Sequence, residues 1–437
     1  MARMVSRLII EGGRPLSGEV AAAGAKNSAT KLMVASLLTE EPVVLYNLPL
    51  IGDVDITRQI CEEIGAQLDI SDHTLTIHTP RVNRTKVREQ TRRNRLSVLA
   101  LGPLLHRAGT AELPVVGGDK LGARPVDYHI NALRQMGVQI EETANGYLAK
   151  TTGLKGAKIN LPYPSVGATE NILLAAVLAS GRTTISNAAI EPEVVEMVMM
   201  LQRMGAIIEF RANRAIVIDG VKRLHGTSYT IMPDRLEVAS WGLLALATNG
   251  RIAVDNCRQT HLVTFLNTVR RLGADYHIAG DTITFKRSGQ TLRPIEIVTD
   301  VWPGFSSDWQ QPLGVVLTQA AGRSVIHETV YSNRFEYTKT LTKMGAKIEL
   351  FDARKSGLGE QFDDTHYSQS AQILGPTPLH AAEIDIPDIR AGMAQVIAAL
   401  SAKGSSAVNG VEHLLRGYEE PLAKLKAVGA IFRTAED

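Results

Sequence analysis

The short segment Gly24-Ala25-Lys26-Asn27-Ser28 combines a glycine, a lysine and two small polar residues directly before an apolar run. Such a segment is typical of a helix start, where the first backbone N–H groups have no partner inside the helix and can bind an anion. Lys26 would add a full positive charge there. The sequence therefore predicts an anion site, although the same residues also fit an ordinary helix start with a solvated lysine. The spacing is not that of a Walker A motif.

A second segment, Gly117–Pro125, carries three glycines around Asp119. Glycines allow a loop to change its backbone conformation, so Asp119 could move into a closed site and donate a proton. Arg124 precedes Pro125, and proline favours the first turn of a helix, which would place Arg124 at a helix start. An ordinary Gly-Asp turn is the alternative interpretation.

Asp308 ends the segment Pro303-Gly-Phe-Ser-Ser-Asp308, directly before another apolar run. An aspartate at this position fits either a helix cap or a carboxylate that takes part in chemistry. The arginines at predicted helix starts or turns are Arg95, Arg334, Arg390 and Arg416. Arg95 and Arg390 would enter a buried helix, whereas Arg334 and Arg416 would enter an amphipathic one. An internal repeat could therefore gather all four at one cleft, where guanidinium groups bind phosphate or carboxylate. Each could also be an ordinary surface cation.

Composition excludes several classes of protein and site. The 437 residues carry a formal net charge of +2, too balanced for a broad basic surface that holds nucleic acid. Cys61 and Cys257 are the only cysteines, which excludes a disulfide framework and a cysteine-rich zinc site. The histidines show no H-E-x-x-H spacing, and we expect no metal site. No signal-peptide core and no membrane-length apolar stretch occurs, so we expect a soluble, cytoplasmic protein.

The elements that must position these residues repeat six times along the chain. An apolar residue, a glycine and a small residue precede a strand-like run at Gly65, Gly137, Gly205, Gly273, Gly345 and Gly429. Each glycine follows a helical pattern and is predicted to end that helix in the left-handed conformation. A second helix, apolar on nearly every side, precedes each of these helices and must be enclosed by protein.

Each repeat is thus predicted to be buried helix, strand, amphipathic helix, strand. Three repeats make a domain of about 200 residues, a usual size. The predicted boundary lies near residues 229–233, and the opening strand, Leu8–Glu11, is expected to complete the second domain. The segment Ser356–Pro378, rich in Gly, Ser, Asp and Gln, is predicted to be a solvent loop.

At these motifs the chain resembles the enolpyruvyl transferases, over nearly its whole length. The segments that carry the resemblance are Gly24–Ser28, Gly117–Asp127, Ser165–Thr169, Asn187–Glu193, Pro303–Asp308, Asn333–Phe335, Asp388–Arg390 and Arg416–Tyr418. They are most similar to the branch of the family that acts on UDP-N-acetylglucosamine in the first committed step of peptidoglycan precursor synthesis.

The resemblance implies an α/β fold, a two-domain inside-out α/β barrel of six βαβαββ units. The implied domains are residues 26–232, and residues 1–25 together with 233–437. The family's active site lies in the cleft between its domains, and this cleft closes on ligand.

The resemblance also implies roles for individual residues. The implied catalytic residues are Asp119 as general acid, Asp308 as the group that takes the hydroxyl proton, Lys26 and Arg416. The implied substrate-binding residues are Lys26, Asn27, Arg95, Arg124, Pro125, Val126, Asp127, Tyr128, Tyr163, Pro164, Ser165, Val166, Asp308, Val330, Arg334, Asp388, Arg390 and Arg416. Among these, Lys26, Arg124 and Arg416 match positions that hold the anionic groups of phosphoenolpyruvate.

The implied reaction adds the sugar 3-hydroxyl to C2 of phosphoenolpyruvate while C3 is protonated, and phosphate is then eliminated. It needs no metal or redox cofactor. Many relatives carry cysteine at the Asp119 position, and fosfomycin inactivates members by alkylating that cysteine, so resistance is expected here. Many relatives carry lysine where this chain has Tyr163, which removes a positive charge near the expected diphosphate.

Two alternatives stay open. The same chemistry could act on another acceptor, such as a nucleotide hydroxyl, or the chain could be a catalytically silent ligand-binding paralogue. Retention of so many charged residues argues against a silent protein, since like charges gathered in one cleft repel each other at a cost to folding.

Overall fold

The structure is a computed structural model that describes residues 7–87, 95–114, 126–287, 289–352, 368–386 and 389–435. The helices are α1 (Lys26–Ala35), α2 (Gly52–Ile64), α3 (Leu101–Ala108), α4 (Asp127–Gln135), α5 (Val166–Ala176), α6 (Pro192–Arg203), α7 (Arg235–Ala247), α8 (Val263–Arg271), α9 (Ser307–Leu317), α10 (Tyr337–Lys343), α11 (Ile389–Ser401), α12 (Val411–Gly417) and α13 (Pro421–Ala427). A short 3-10 helix, Leu96–Ala100, leads into α3.

The strands are β1 (Arg7–Gly12), β2 (Ser17–Ala21), β3 (Val43–Tyr46), β4 (Gln67–Ser71), β5 (Thr74–His78), β6 (Thr110–Pro114), β7 (Gln139–Thr143), β8 (Gly146–Lys150), β9 (Lys158–Asn160), β10 (Arg182–Ser186), β11 (Ile207–Arg211), β12 (Ala215–Asp219), β13 (Thr227–Thr230), β14 (Arg251–Asp255), β15 (Asp275–Ala279), β16 (Thr282–Lys286), β17 (Glu296–Val298), β18 (Gly322–His327), β19 (Lys347–Phe351), β20 (Ser370–Gly375), β21 (Glu383–Asp385), β22 (Gly404–Asn409) and β23 (Ile431–Ala435).

The described residues form two compact units. We call residues 24–114 with 126–232 the N unit, and residues 7–23 with the described part of 233–435 the C unit. Each unit has its own apolar core, formed by one continuous cluster of buried residues.

The N unit contains three sheets around three buried helices, α1, α3 and α5. Its strand orders are β13-β3-β5-β4, β6-β8-β7 and β11-β12-β10-β9. An edge strand runs parallel to the strand that follows a buried helix, as β13 does to β3 and β9 to β10. In the sheet of β6 a single parallel bridge between Lys86 and Glu112 occupies that edge.

The C unit follows the same plan, with sheets β15-β16-β14-β2, β17-β18-β20-β19 and β21-β22-β1-β23. Its buried helices α7, α9 and α11 pack against one another. Every residue of α7 is buried, as a helix that is apolar on all sides requires. Strand β1 pairs antiparallel with both β22 and β23, so the start of the chain completes the last sheet. The mixed α/β fold, with helices inside and sheets outside, is confirmed.

The predicted helix stops are also confirmed. The backbone φ is positive at the repeat glycines Gly65, Gly137, Gly205, Gly273, Gly345 and Gly429, with values from 80° to 122°. This left-handed region is open to glycine without steric cost, which explains why glycine ends each of these helices.

The prediction of a solvent loop over Ser356–Pro378 is wrong for part of that segment. Residues 370–375 form β20, which pairs with β18 and β19, and Ala371 and Ile373 are fully buried. Apolar and polar residues alternate along Ser370-Ala-Gln-Ile373, the pattern of a half-buried strand, and the polar composition of the segment obscured it. Residues 353–367 lie outside the described residues.

Candidate active site

Helix α1 begins with a backbone that is open to an anion. Its N-cap residue, Ala25, offers no side-chain hydrogen bond, and the first turn contains no acidic residue. The first helical residue is Lys26, whose Nζ donates to Asp53 Oδ2 at 2.8 Å. Both side chains are largely buried, at 13% and 8% exposure, so the lysine is held in a defined place. A positive helix end and a fixed ammonium group together favour a bound anion.

Two further carboxylates hold the same turn of α1. The Ser28 hydroxyl donates to Glu196 Oε2, and the Met232 N–H donates to Oε1 of the same carboxylate at 2.6 Å. One turn later, Lys31 Nζ lies 3.4 Å from Glu170 Oε1, and it also donates to the Asn27 carbonyl. Sequence reasoning missed Asp53, Glu196 and Glu170, because they come from α2, α6 and α5.

The other candidate residues of the N unit also lie at helix starts. Arg95 precedes the 3-10 helix, Val126 precedes α4, and Asp127 and Tyr128 open α4. Ser165 caps α5, since its Oγ accepts the Ala168 N–H at 3.3 Å. Its own N–H donates to the Tyr163 carbonyl at 2.7 Å.

A buried histidine connects α4 with α5. Burial, together with the positive charge of the nearby Arg95, lowers the pKa of His129, on α4, to about 3. The neutral ring accepts a hydrogen bond at Nδ1 from the Asn171 amide of α5, at 3.2 Å. His129 thus lies near Arg95 and connects α4 to α5, and these two helices also pack against each other.

In the C unit, Asp308 and Arg334 form an ion pair. Ser306 caps α9 by accepting the Asp308 N–H at 3.3 Å, which places Asp308 in the first turn. Its Oδ1 contacts Arg334 Nη2. The Arg334 side chain is fully buried, whereas that of Asp308 is 23% exposed. One carboxylate is thus held by a buried cation and still reaches solvent.

Glu328 fixes the segment that carries Val330 and Arg334. Its Oε1 accepts the N–H groups of Val330 and Tyr331 at 2.8 and 3.1 Å. Its Oε2 accepts from the Ser307 hydroxyl at 2.9 Å and the Gln310 amide at 3.1 Å, both on α9. Glu328 is 2% exposed and was not singled out from the sequence.

The remaining candidates have simpler positions. Arg416 lies in the last turn of α12, which packs against α11, and Arg390 lies in the first turn of α11. The Tyr418 hydroxyl, just beyond α12, is 3.0 Å from Ser240 Oγ on α7. The sequence candidates outside the described residues are Asp119, Arg124, Pro125 and Asp388.

A groove of about 530 Å³ lies in the N unit, at the C-terminal ends of the buried helices α3 and α5. Its lining includes His106 and Gly109 at the end of α3 and Leu178 and Gly181 beyond the end of α5. It is therefore separate from the helix starts that carry the candidate residues.

Across the ranges that the structure describes, no group of three or more His, Cys, Asp or Glu side chains could hold a metal ion. In the same ranges, no helix has the length and apolarity to cross a bilayer.

Comparison with known proteins matches nearly the whole chain to enolpyruvyl transferases. A family model described as EPSP synthase (3-phosphoshikimate 1-carboxyvinyltransferase) matches residues 10–425. A UDP-N-acetylglucosamine 1-carboxyvinyltransferase of Protochlamydia amoebophila is 44% identical, over 98% of this chain and 94% of the relative. UDP-N-acetylglucosamine 1-carboxyvinyltransferase 2 of Listeria monocytogenes is 39% identical, over 98% of this chain and 97% of the relative.

Solved structures agree. The enolpyruvyl transferase NikO of Streptomyces tendae superposes with a TM-score of 0.87 at 25% identity, covering 99% of this chain and all of that one. An EPSP synthase of Acinetobacter baumannii gives 0.74 at 18% identity over 99% of this chain and 100% of its own, which shows the fold alone. The chain therefore belongs to the EPSP synthase family, the family of the enolpyruvyl transferases.

Proposed function

We propose that the chain transfers the enolpyruvyl group of phosphoenolpyruvate to the 3-hydroxyl of UDP-N-acetylglucosamine, with release of phosphate, as the first committed step of peptidoglycan precursor synthesis. Relatives of that name at 39–44% identity over nearly the full length carry this proposal. The helix start at Lys26 supports it, since phosphoenolpyruvate has about three negative charges and needs positive groups that are already in place.

The chemistry follows from the proposed residues. The sugar 3-hydroxyl oxygen forms a bond to C2 of phosphoenolpyruvate, and the hydroxyl proton passes to the Asp308 carboxylate. Asp119 gives a proton to C3. The C2–O bond to phosphate then breaks as a proton passes from C3 back to the Asp119 carboxylate, and the proton held by Asp308 leaves with the phosphate, so that an enol ether and inorganic phosphate result and both carboxyl groups are restored. Asp308 suits the first step, because Arg334 fixes one of its oxygens while the side chain stays partly exposed.

The proposed substrate contacts fall into two groups. For phosphoenolpyruvate these are Lys26, Asn27, Arg124 and Arg416. For the nucleotide sugar these are Arg95, Arg124 to Tyr128, Tyr163 to Val166, Asp308 and Val330. Arg334, Asp388 and Arg390 complete the proposed binding set. We further propose that residues 26–232, and residues 1–25 with 233–437, are the two catalytic domains, and that the enzyme works in the cytoplasm.

Transfer to a different acceptor is the second candidate function. Tyr163 is the observation that favours it, because the hydroxyphenyl side chain supplies no positive charge for a diphosphate. Phosphate release from phosphoenolpyruvate, measured with UDP-N-acetylglucosamine, shikimate 3-phosphate and free nucleosides in parallel, separates the candidates. Release only with the UDP-sugar supports the first function, whereas release only with another acceptor overturns it. A Lys26→Met variant, expected to release no phosphate, controls for contaminating phosphatase.

A further inference from the structure

A buried ion pair joins the helix that begins at Lys26 to the helix capped by Ser165. Lys31 lies in α1, one turn beyond Asn27, and Glu170 lies in α5, one turn beyond Val166. Their charged groups are 3.4 Å apart, and the side chains are only 15% and 1% exposed. The pair therefore connects the starts of two helices to which we have assigned different substrates.

A gain in the stability of the fold does not explain why Lys31 and Glu170 are buried as an ion pair. Removing two charges from water costs several kcal/mol per ion, and attraction between them often fails to recover that cost. Two more carboxylates lie near Glu170 and oppose its ionisation: Glu193 in the first turn of α6, and Glu191, the N-cap residue of that helix. Burial, with these neighbours, raises the pKa of Glu170 to about 7, although Lys31 acts in the opposite direction. On α4, the neutral His129 contacts the next residue, Asn171.

Lys31 connects Glu170 to the first turn of α1, because its ammonium group contacts both Glu170 and the Asn27 carbonyl. Its Nζ donates to the Asn27 carbonyl as well as pairing with Glu170, so it fixes a backbone atom of a proposed phosphoenolpyruvate-binding residue. An ammonium group has three donors on a flexible stem, and Glu170 orients that stem. Without the carboxylate, the lysine could turn toward solvent, and the Asn27 carbonyl would then lose this second donor and keep only its helical bond from the Lys31 N–H.

We propose that Lys31 and Glu170 are a positioning pair, which holds Lys26 and Asn27 at the start of α1 in register with the start of α5. This inference rests on the proposed function. Neither residue touches the reacting atoms in this account. Their contribution is to the placement of the groups that bind phosphoenolpyruvate.

The first test is the kinetics of Glu170→Gln with phosphoenolpyruvate as the varied substrate. We expect KM to rise by roughly tenfold, as when a charge-assisted contact is lost, while kcat changes little. In the unaltered enzyme, KM should rise as the pH falls below about 7 and Glu170 becomes protonated, and this rise should be absent from the variant. Unchanged KM, or parallel pH profiles, would overturn the proposal.

A double variant separates positioning from stability. Lys31→Met with Glu170→Met replaces the pair by apolar side chains and should keep or raise the melting temperature. Methionine cannot donate to the Asn27 carbonyl, so the raised KM should persist. Recovery of the original KM in the double variant would show that the pair serves only the packing of the core. Asp219→Asn, which removes an exposed partner of Arg182, is the control and should change neither quantity.

A third measurement needs no substrate and so stands apart from the proposed function. Hydrogen exchange of the amides of residues 30–33 should quicken in Glu170→Gln, while exchange in α2 and α6 stays as it is. A uniform change, or none, would contradict a positioning role even if the enzyme acts on another acceptor. Absence of product with the unaltered enzyme would contradict the proposed function alone.

Discussion

Asp308 is the residue whose replacement separates chemistry from stability most cleanly. Asp308→Asn keeps an oxygen that can accept from Arg334 but cannot take a proton, so turnover should fall by about 10²–10⁴-fold. The neutral amide no longer balances the charge of the buried guanidinium, so the free energy of unfolding should also fall, but by less than in Asp308→Ala. Asp308→Ala should also lose about 1–3 kcal/mol, because a fully buried guanidinium loses this partner. Steady-state rates and urea unfolding of both variants give the two quantities.

The ion pair with Arg334 is the reason to expect a loss of stability in Asp308→Ala. Near-normal turnover of Asp308→Asn would exclude Asp308 as the proton acceptor. An unfolding free energy of the alanine variant equal to that of the unaltered protein would show that the ion pair contributes nothing to stability.

Resistance to fosfomycin is the second prediction at the residue scale. An epoxide needs a thiolate, and both cysteines of the chain are buried. Burial raises the pKa of Cys61 to about 12 and that of Cys257 to about 12, so neither is ionised near neutral pH. We expect no time-dependent inactivation and no adduct in the mass spectrum, and we expect Asp119→Cys to become sensitive. An adduct on the unaltered chain would contradict the role given to Asp119.

At the residue scale, the sequence did not reveal the carboxylates that hold the candidate site residues in place. Lys26 and Asp308 stand in motifs, and their types and positions pointed to chemistry. Asp53, Glu196 and Glu328 stand in no such motif, and each acts on a residue from a different element. A carboxylate looks the same in sequence whether it is solvated or accepts four buried hydrogen bonds, so only the fold identifies it.

At the scale of elements, the segment from Glu328 to Arg334 depends on one carboxylate. Glu328→Gln places an amide N–H where an acceptor is needed, either toward Val330 and Tyr331 or toward α9. We expect a loss of about 1–3 kcal/mol in the free energy of unfolding and a higher KM for the UDP-sugar, because Val330 belongs to its proposed site. The control is Glu336→Gln, an exposed partner of Lys339 in the same region. Equal effects of the two variants would refute the assignment.

The free energy of unfolding should depend on pH through His129, the histidine that joins α4 to α5. His129 is neutral in the folded protein, with a pKa of about 3, and protonated below about pH 6.5 in the unfolded chain. It therefore contributes stability that is lost as the pH falls from about 6.5 toward 3. His129→Gln should retain about 2 kcal/mol that the unaltered protein loses between pH 6.5 and 5.

Glu170 should act with the opposite sign in the same experiment. Its pKa is raised to about 7, so the folded protein binds this proton more tightly than the unfolded chain does. Its contribution to stability grows as the pH falls from about 7 to 4.5, and Glu170→Gln should lose that growth. Denaturant unfolding at pH 7.5 and 5 gives the comparison, and parallel curves for His129→Gln and the unaltered protein would contradict the assignment.

Helices and their ends were the most predictable elements. The repeat glycines marked the helix stops, and apolar runs identified the buried helices. Strand β20 was missed, since glycine-rich and polar residues surround a short alternating run. The turns at Asn47, Asn187 and Asn256 were also missed. Each has a φ of 55–58° and donates a side-chain hydrogen bond to a backbone carbonyl near the end of the neighbouring parallel strand, a contact between distant parts of the chain.

At the scale of the whole molecule, substrate binding should appear as stabilisation. A ligand at about 100 times its Kd adds about 2.7 kcal/mol to the free energy of unfolding. UDP-N-acetylglucosamine should therefore raise the melting temperature of the unaltered protein and, to the same extent, that of Lys26→Met, whose altered group is assigned to phosphoenolpyruvate. If millimolar UDP-N-acetylglucosamine left the melting temperature unchanged, the acceptor would have to be a different compound.

The most direct test of the central claim follows the carbon that changes partners. Phosphoenolpyruvate labelled with ¹³C at C2 is incubated with the protein and UDP-N-acetylglucosamine, and the carbon spectrum is recorded with the phosphorus spectrum. We expect the labelled carbon to become an enol ether coupled to the sugar C3 position, with one inorganic phosphate for each transfer. A label that stays in phosphoenolpyruvate, or that appears as pyruvate without a bond to the sugar, would contradict enolpyruvyl transfer to this acceptor.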